Sequence, residues 1–460
     1  MVFTSFAFLF LFLPLFLAGY SIVPAGLRNL WLLSASVVFY GWERPSWVLI
    51  MVASTLVDYA VARLMGAKED GRPGRKLLLV TSILANMGLL AWFKYANLLV
   101  HTAETWSGAD LAWHDIALPV GISFYTFQSM SYTIDVYRGD VKPTRSLVDF
   151  ACYVSMFPQL VAGPIVRYRD VHDQVVRRSH SVGLLGAGAS CFMIGFVKKV
   201  LVADVMAPLA TAGFALPQPG LVESWTALVA YSLQIYFDFS GYSDMAIGLG
   251  LMLGFRFPCN FDSPYKSQSV TEVWRRWHIS LSTWLRDYLY IPLGGNRHGE
   301  ARTYFNLATT MLLGGLWHGA NWPFVLWGAY QGLWLCLERM NGRKPLHARL
   351  PMPLRVLATY LVFTFGWSLF VARDLSHVQT LWRGLFGLSG LGETLVSPKH
   401  DTITYAMFPL AIAIVFFAPN SAALMRSYRP LVITGFVLLF VVAVAQMLAA
   451  SHIPFLYFRF

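Results

Sequence analysis

The chain is built from repeated apolar stretches, each close to the length that crosses a hydrocarbon layer, and this repetition limits its possible folds more than any motif does. A span needs about 20 mostly apolar residues. The stretches 4–24, 27–43, 46–65, 77–100, 148–165, 182–204, 222–252, 303–320, 323–340, 355–373, 402–418 and 431–450 qualify. In hydrocarbon the backbone must satisfy its own polar groups, so each stretch is expected to be a helix. The predicted fold is an all-α, polytopic integral membrane protein with about 11–12 transmembrane helices and some interfacial or re-entrant pieces. Composition agrees: charged residues make up 13%, against about 25% in soluble domains. No long polar segment interrupts the pattern, so residues 1–460 read as a single membrane domain.

A net charge of +11 in a soluble chain would suggest nucleic acid. Here the basic residues sit in short loops, where they set topology, and no nucleic-acid partner is expected. One loop holds Lys68, Arg72, Arg75 and Lys76, and another holds Arg167, Arg169, Arg177 and Arg178. A central block carries Arg256, Lys266, Arg275, Arg276, Arg286, Arg297 and Arg302; Arg343, Lys344, Arg349, Arg426 and Arg429 follow. The span pattern puts all these groups on one side, predicted to be cytoplasmic, with both termini outside. The first apolar stretch lacks a basic leader and a small-residue cleavage site, so it reads as a retained span. Cys152, Cys191, Cys259 and Cys336 lie in or near apolar segments without metal spacing, and they read as small core residues.

Two polar interruptions stand out. Residues 115–137 are punctuated by Gly and Pro and studded with hydroxyls, a pattern that fits a re-entrant or interfacial piece. The other runs from Trp274 to Trp322, opening with WRRWHISLSTWLRDYLYIPLGG and closing with GGLWHGANW. Ser269 and Glu272 have capping-box spacing. Pro292 and Gly294-Gly295 are stop signals. Between them Trp274, Trp277, His278, Leu281, Trp284, Leu285 and Tyr288 recur at helical spacing, which predicts one helix with an aromatic face. Such a helix either lies in the interface, with its arginines toward phosphates, or folds against the bundle with His278 pointing inward. His318 ends an apolar run and is flanked by Gly315 and Gly319, where backbone and ligand can approach closely. It is either a functional group at membrane depth or a satisfied interface histidine. Gln234 and Asp238 lie four apart on one helical face, suited to a proton path or acceptor channel, or to a structural pairing between helices. Gly241, Gly248, Gly250 and Gly254 permit close helix packing. No Walker loop, GxSxG elbow, HExxH or DFG-type set is present, so no metal site is expected.

The motifs WRRWHISLSTWLRDYLYIPLGGNR and GGLWHGANWPFVLWGAYQG closely resemble the membrane-bound O-acyltransferase superfamily. They fit its bacterial branch, whose members serve alginate O-acetylation, cellulose acetylation and D-alanyl transfer to teichoic acids. SFYTFQSMSYTIDVYRG, FPQLVAGPI, YFDFSGYSDMAIGLG and the terminal PFLYFRF extend the resemblance over nearly the whole chain. The resemblance implies a helical bundle around a central tunnel, with a catalytic core at about 118–340 and histidine motifs at 274–322. It also implies that His318 is the essential histidine and His278 a second histidine near the site. Trp317 and Asn321 flank His318, and Asn321 can hydrogen-bond the imidazole or an oxyanion. Trp274, Trp277, Asp238 and Gln234 are tunnel candidates. Arg286 and Asp287 either form an ion pair or line the cytoplasmic entrance.

The expected activity is transfer of an acetyl group from a cytoplasmic thioester such as acetyl-CoA toward an exported polysaccharide. No permanently bound cofactor is expected. The resemblance places the protein in a bacterial inner membrane, working with periplasmic acetyltransferase or polysaccharide-synthesis subunits. D-alanyl transfer is the alternative within enzymes. A transporter would show inverted repeats, and none is visible; a scaffold subunit would tolerate loss of His318.

Overall fold

The computed structural model describes residues 1–67, 73–393, 402–426, 430–449 and Leu456. Lys68, Arg72, Arg429 and most of the terminal PFLYFRF motif lie outside the described residues. Every described element is helical. The chain divides into two compact units, one of Met1–Phe192 with Met245–Pro258, the other of Met193–Asp244 with Cys259–Phe460.

The first unit contains α1 (Leu13–Ile22), α2 (Arg28–Gly41), α3 (Ser46–Gly66), α4 (Pro73–Leu90), α5 (Ile122–Arg138) and α6 (Leu147–Ser155). It also takes most of α7 (Val182–Val197). Asp58 of α3 is wholly buried. It accepts from Ser82 Oγ at 2.6 Å, from Asn86 Nδ2 at 2.8 and 2.9 Å, and from Ser129 Oγ. A bare carboxylate in an apolar interior is costly, and these donors on α4 and α5 remove that cost while joining three helices.

Two predicted stretches come out differently in this unit. In 115–137 a non-helical lead-in precedes α5, and every residue from Ile122 to Val136 except Ile134 is buried. An interfacial helix would keep an exposed face, so α5 is a core helix whose hydroxyls serve internal partners. The predicted span 148–165 is broken. α6 stops at Ser155, Met156 is extended, and Phe157–Leu160 makes a single turn. Pro158 has no backbone N–H for the Val154 carbonyl and its ring would clash with that carbonyl, so α6 cannot run on through it; Pro158 sits instead in the first turn of the short helix that Phe157 opens.

The second unit contains the N-terminal part of α8 (Leu221–Met252), then α9 (Val270–Arg276), α10 (Ile279–Leu285), α11 (Gly299–His318), α12 (Trp322–Met340), α13 (Met352–Val371), α14 (Thr402–Phe417) and α15 (Pro430–Ala449). The tight turn at Gly319 sends α12 back along α11. The two helices cross closely because a Cβ at Gly315 would stand 2.3 Å from the Phe324 carbonyl, and one at Gly328 2.5 Å from the Met311 carbonyl. Small residues at such crossings let backbones meet. Trp277, Trp327, Phe363, Trp367 and Phe370 fill the interior beside this pair.

Among the described residues, Ser46–Gly66, Gly74–Ser107, Met352–Val371 and Leu431–Ala449 are long and apolar enough to cross a membrane on their own, and Ala7–Ile22 and Thr402–Phe417 are shorter apolar helices. The protein is a multi-pass, all-α membrane protein.

Candidate active site

The site begins at a break that the helical spacing does not foretell. Ser269 Oγ accepts from Glu272 N at 3.0 Å, as its spacing predicts, while the Glu272 carboxylate accepts from Gln268 N at 2.9 Å. Glu338 of α12 completes the cap, accepting from Val270 N at 2.7 Å and Thr271 N at 2.9 Å. The helix expected to continue to Pro292 stops at Arg276, because His278 adopts φ 44° and ψ 54°. A left-handed conformation costs a non-glycine residue roughly 1–2 kcal/mol and persists only where its surroundings impose it.

Asn260 imposes it. Its carbonyl accepts from Ile279 N at 2.9 Å. Its side-chain Oδ1 accepts from Ser280 N at 3.2 Å and Ser280 Oγ at 2.8 Å, and lies 3.1 Å from His278 Nδ1. Asn260 Nδ2 donates to Ser243 Oγ at 2.9 Å, which fixes Oδ1 as the acceptor facing the imidazole. His278 Nδ1 therefore carries the proton, and Nε2 carries the lone pair. The ring is fully buried, with Phe239 at 4.6 Å. His278 lies outside the spanning helices, and burial pushes its pKa down to about 3, so it is neutral throughout the physiological range.

His318 is the last residue of α11 and is 5% exposed. The rings of Trp317, Trp327 and Phe370 lie 5.0, 5.0 and 5.3 Å from its imidazole. The Trp317 ring is also 6.0 Å from His278. One indole thus touches both histidines, and two motifs 40 residues apart meet there. Gly319 is needed for the turn, since a Cβ there would overlap the Phe324 ring at 2.1 Å.

The remaining candidates fall into four groups. Trp274 and Trp277 belong to the same aromatic interior. Trp274 Nε1 donates to Gln331 Oε1 at 3.2 Å, and its ring is 5.7 Å from Trp327; Trp277 packs on Trp367 at 5.1 Å. Asn321 is half-buried and caps α12, accepting from Trp322 N at 2.8 Å, while its amide nitrogen donates to the Arg373 carbonyl. Arg286 and Asp287 pair with each other at 2.7 Å, with the arginine largely exposed. Asp238 is buried and paired with Lys199 at 2.8 Å; Lys199 also reaches Asp204 at 2.5 Å, and Leu456 N donates to Asp238 at 2.8 Å. Gln234 is half-buried one turn earlier on α8. The sequence reading missed Asn260, Trp327 and Phe370. Trp327 and Gln331 are spaced i, i+4 on α12, a cue available in FVLWGAYQG; Asn260 gives no local cue.

Residues 141–375 match the model of the MBOAT, membrane-bound O-acyltransferase family. The chain belongs to this family. Over its full length it is 44% identical to a probable alginate O-acetylase AlgI of Azotobacter vinelandii, with all of both chains covered. It is 34% identical to a peptidoglycan O-acetyltransferase of Helicobacter pylori, covering 100% of this chain and 98% of the relative. A teichoic acid D-alanyltransferase of Streptococcus thermophilus is 30% identical over 49% of this chain and 58% of its own.

This membrane-bound O-acyltransferase therefore holds two buried imidazoles around one indole. Acyl transfer to a hydroxyl requires a base for the attacking oxygen and donors for the tetrahedral oxyanion. A neutral imidazole has the lone pair the base requires, and an aromatic enclosure keeps water from competing as the acceptor.

Proposed function

We propose that this acyltransferase moves acetyl groups from a cytoplasmic thioester, such as acetyl-CoA, toward O-acetylation of an exported polysaccharide of the alginate or cellulose kind. It works in a bacterial inner membrane with a periplasmic transferase or polysaccharide-synthesis partner, and it holds no permanent cofactor. Support for acetyl over D-alanyl comes from relatives named as O-acetylating enzymes, which align along the whole chain, whereas the D-alanyl relative aligns over about half.

The observation that carries the chemistry is the meeting of His318 and His278 at Trp317. His318 removes the proton of the attacking hydroxyl as its oxygen bonds to the thioester carbonyl carbon. The tetrahedral intermediate then breaks its carbon–sulfur bond, and the departing thiolate takes the proton from the imidazolium. His278, oriented by Asn260, sets its ring against the same indole and positions the reactants.

The reading is tested in a strain lacking the gene and complemented with the wild-type chain. Polymer O-acetyl content should vanish on deletion and return on complementation. Unchanged polymer acetylation in the deletion strain, or restoration of D-alanyl ester in place of acetate, would overturn it.

A further inference from the structure

In the first unit, the end of α1, the start of α2 and the loop before α7 bring two guanidiniums to a linked tyrosine and histidine, Tyr20 and His180. Arg28 Nη1 lies 3.2 Å from His180 Nδ1, and Tyr20 Oη lies 3.1 Å from His180 Nε2. Arg178 Nε donates to Tyr20 Oη at 3.2 Å, and Tyr20 donates to the Leu253 carbonyl at 3.2 Å. An arginine has no acceptor, so His180 Nδ1 must accept from Arg28 and Nε2–H must donate to Tyr20. The chain of bonds thus has a single consistent direction.

Among the described residues no carboxylate pairs with this group. Asp149 accepts from Asn29, the neighbour of Arg28, at 2.6 Å. The guanidiniums rest instead on ring faces, Arg178 at 4.5 Å from Phe255 and Arg28 at 5.4 Å from Tyr20. Arg28 Nε is buried without a hydrogen-bond partner. Arg28 is also the first residue of the 14-residue α2, where the helix dipole disfavours a cation and favours an anion. The scaffold is tightly built: Gly254 has φ 82°, and a Cβ there would stand 2.8 Å from the Ser179 carbonyl. Arg178 Nη1 also donates to the Gln174 carbonyl at 3.3 Å, a neutral partner. Three separate features, two guanidiniums without a carboxylate partner and a helix N-terminus, place positive potential at one point.

We propose that Arg28 and Arg178, held in place by His180 and Tyr20, form a phosphate-binding site at the N-terminal end of α2. Planar guanidinium forks match phosphate oxygens bidentately. The phosphate belongs either to an anionic lipid headgroup or to a soluble, phosphate-bearing acyl donor. The basic loop that contains Arg177 and Arg178 assigns this face to the cytoplasm, where both are at hand.

The test uses the full chain, purified in neutral detergent or placed in nanodiscs. In one arm, coenzyme A binding is titrated calorimetrically. In the other, native mass spectrometry counts phosphatidylglycerol retained against phosphatidylcholine. Arg28→Gln and Arg178→Gln should each weaken binding in one arm by about tenfold or more, since charge-assisted bonds of this kind are worth at least one decade in affinity. The arm that responds identifies the source. Arg28→Lys, which keeps the charge and loses the fork, should give a smaller loss and serves if the glutamine variants do not fold. A wild-type chain that binds neither probe, or binding that none of these substitutions weakens, would overturn the proposal.

Discussion

At the scale of residues the site depends on one amide. Asn260 Oδ1 serves Ser280 N, Ser280 Oγ and His278 Nδ1, and its orientation is locked by Ser243. Asn260→Ala would strand these buried donors, each at a cost of about 1–3 kcal/mol. The expected result is a lower unfolding temperature in detergent together with reduced acyl transfer; Asn260→Asp, which keeps an acceptor, should retain more of both. His278 supplies a pH test. Its folded pKa of about 3 lies below the ordinary 6.5, so the unfolded chain takes up the proton first. Its contribution to stability is present above about pH 6.5 and is lost as pH falls from there toward 3. The wild-type unfolding temperature should fall between pH 7 and pH 5, and fall less in His278→Gln. The flanking glycines and the end of an apolar run single out His318 in sequence but leave its role open, and the resemblance of GGLWHGANW to the family motif is what names it as the essential histidine. The φ of 44° at His278 was not legible, because the group that imposes it lies 18 residues upstream and joins the site only through the fold.

At the scale of elements, the crossing of α11 and α12 sets where His318 stands. Gly315→Val would drive a side chain into the Phe324 carbonyl, 2.3 Å from the nearest Cβ position. Overpacking of this kind costs typically about 1–3 kcal/mol. The helices should separate, moving His318 from Trp327. The expected outcome is loss of acyl transfer with a lowered unfolding temperature, whereas Gly26→Ala, in open space, should be silent in both assays. Apolar length located most helices to within a few residues, as for 323–340 and Trp322–Met340. It failed where a local rule competed with it. Met156 and Pro158 split an apolar run, and α5 is polar by sequence yet buried because Asp58 and its neighbours consume its hydroxyls.

At the scale of the whole molecule, the twelve apolar runs and their basic loops reached the fold class, because a bilayer leaves helices as the simplest way to satisfy so much apolar backbone. The rings that enclose His318 were hidden, since Trp327 and Phe370 come from separate helices and read in sequence as ordinary apolar positions. Orientation is tested by single cysteines placed at Arg177 and Arg343 in a cysteine-free chain. Both should resist an impermeant maleimide in intact cells and react after permeabilisation; labelling in intact cells would reverse the topology. The central claim is that the buried His318 imidazole takes the proton in acyl transfer. It is measured most directly as the rate of acetyl transfer by membranes carrying His318→Gln, normalised to protein abundance. The amide keeps a hydrogen bond and the volume but provides no useful base, so the rate should fall by about 10²–10⁴-fold with abundance unchanged. A His318→Gln chain at normal abundance that transfers acetyl at the wild-type rate would contradict the account.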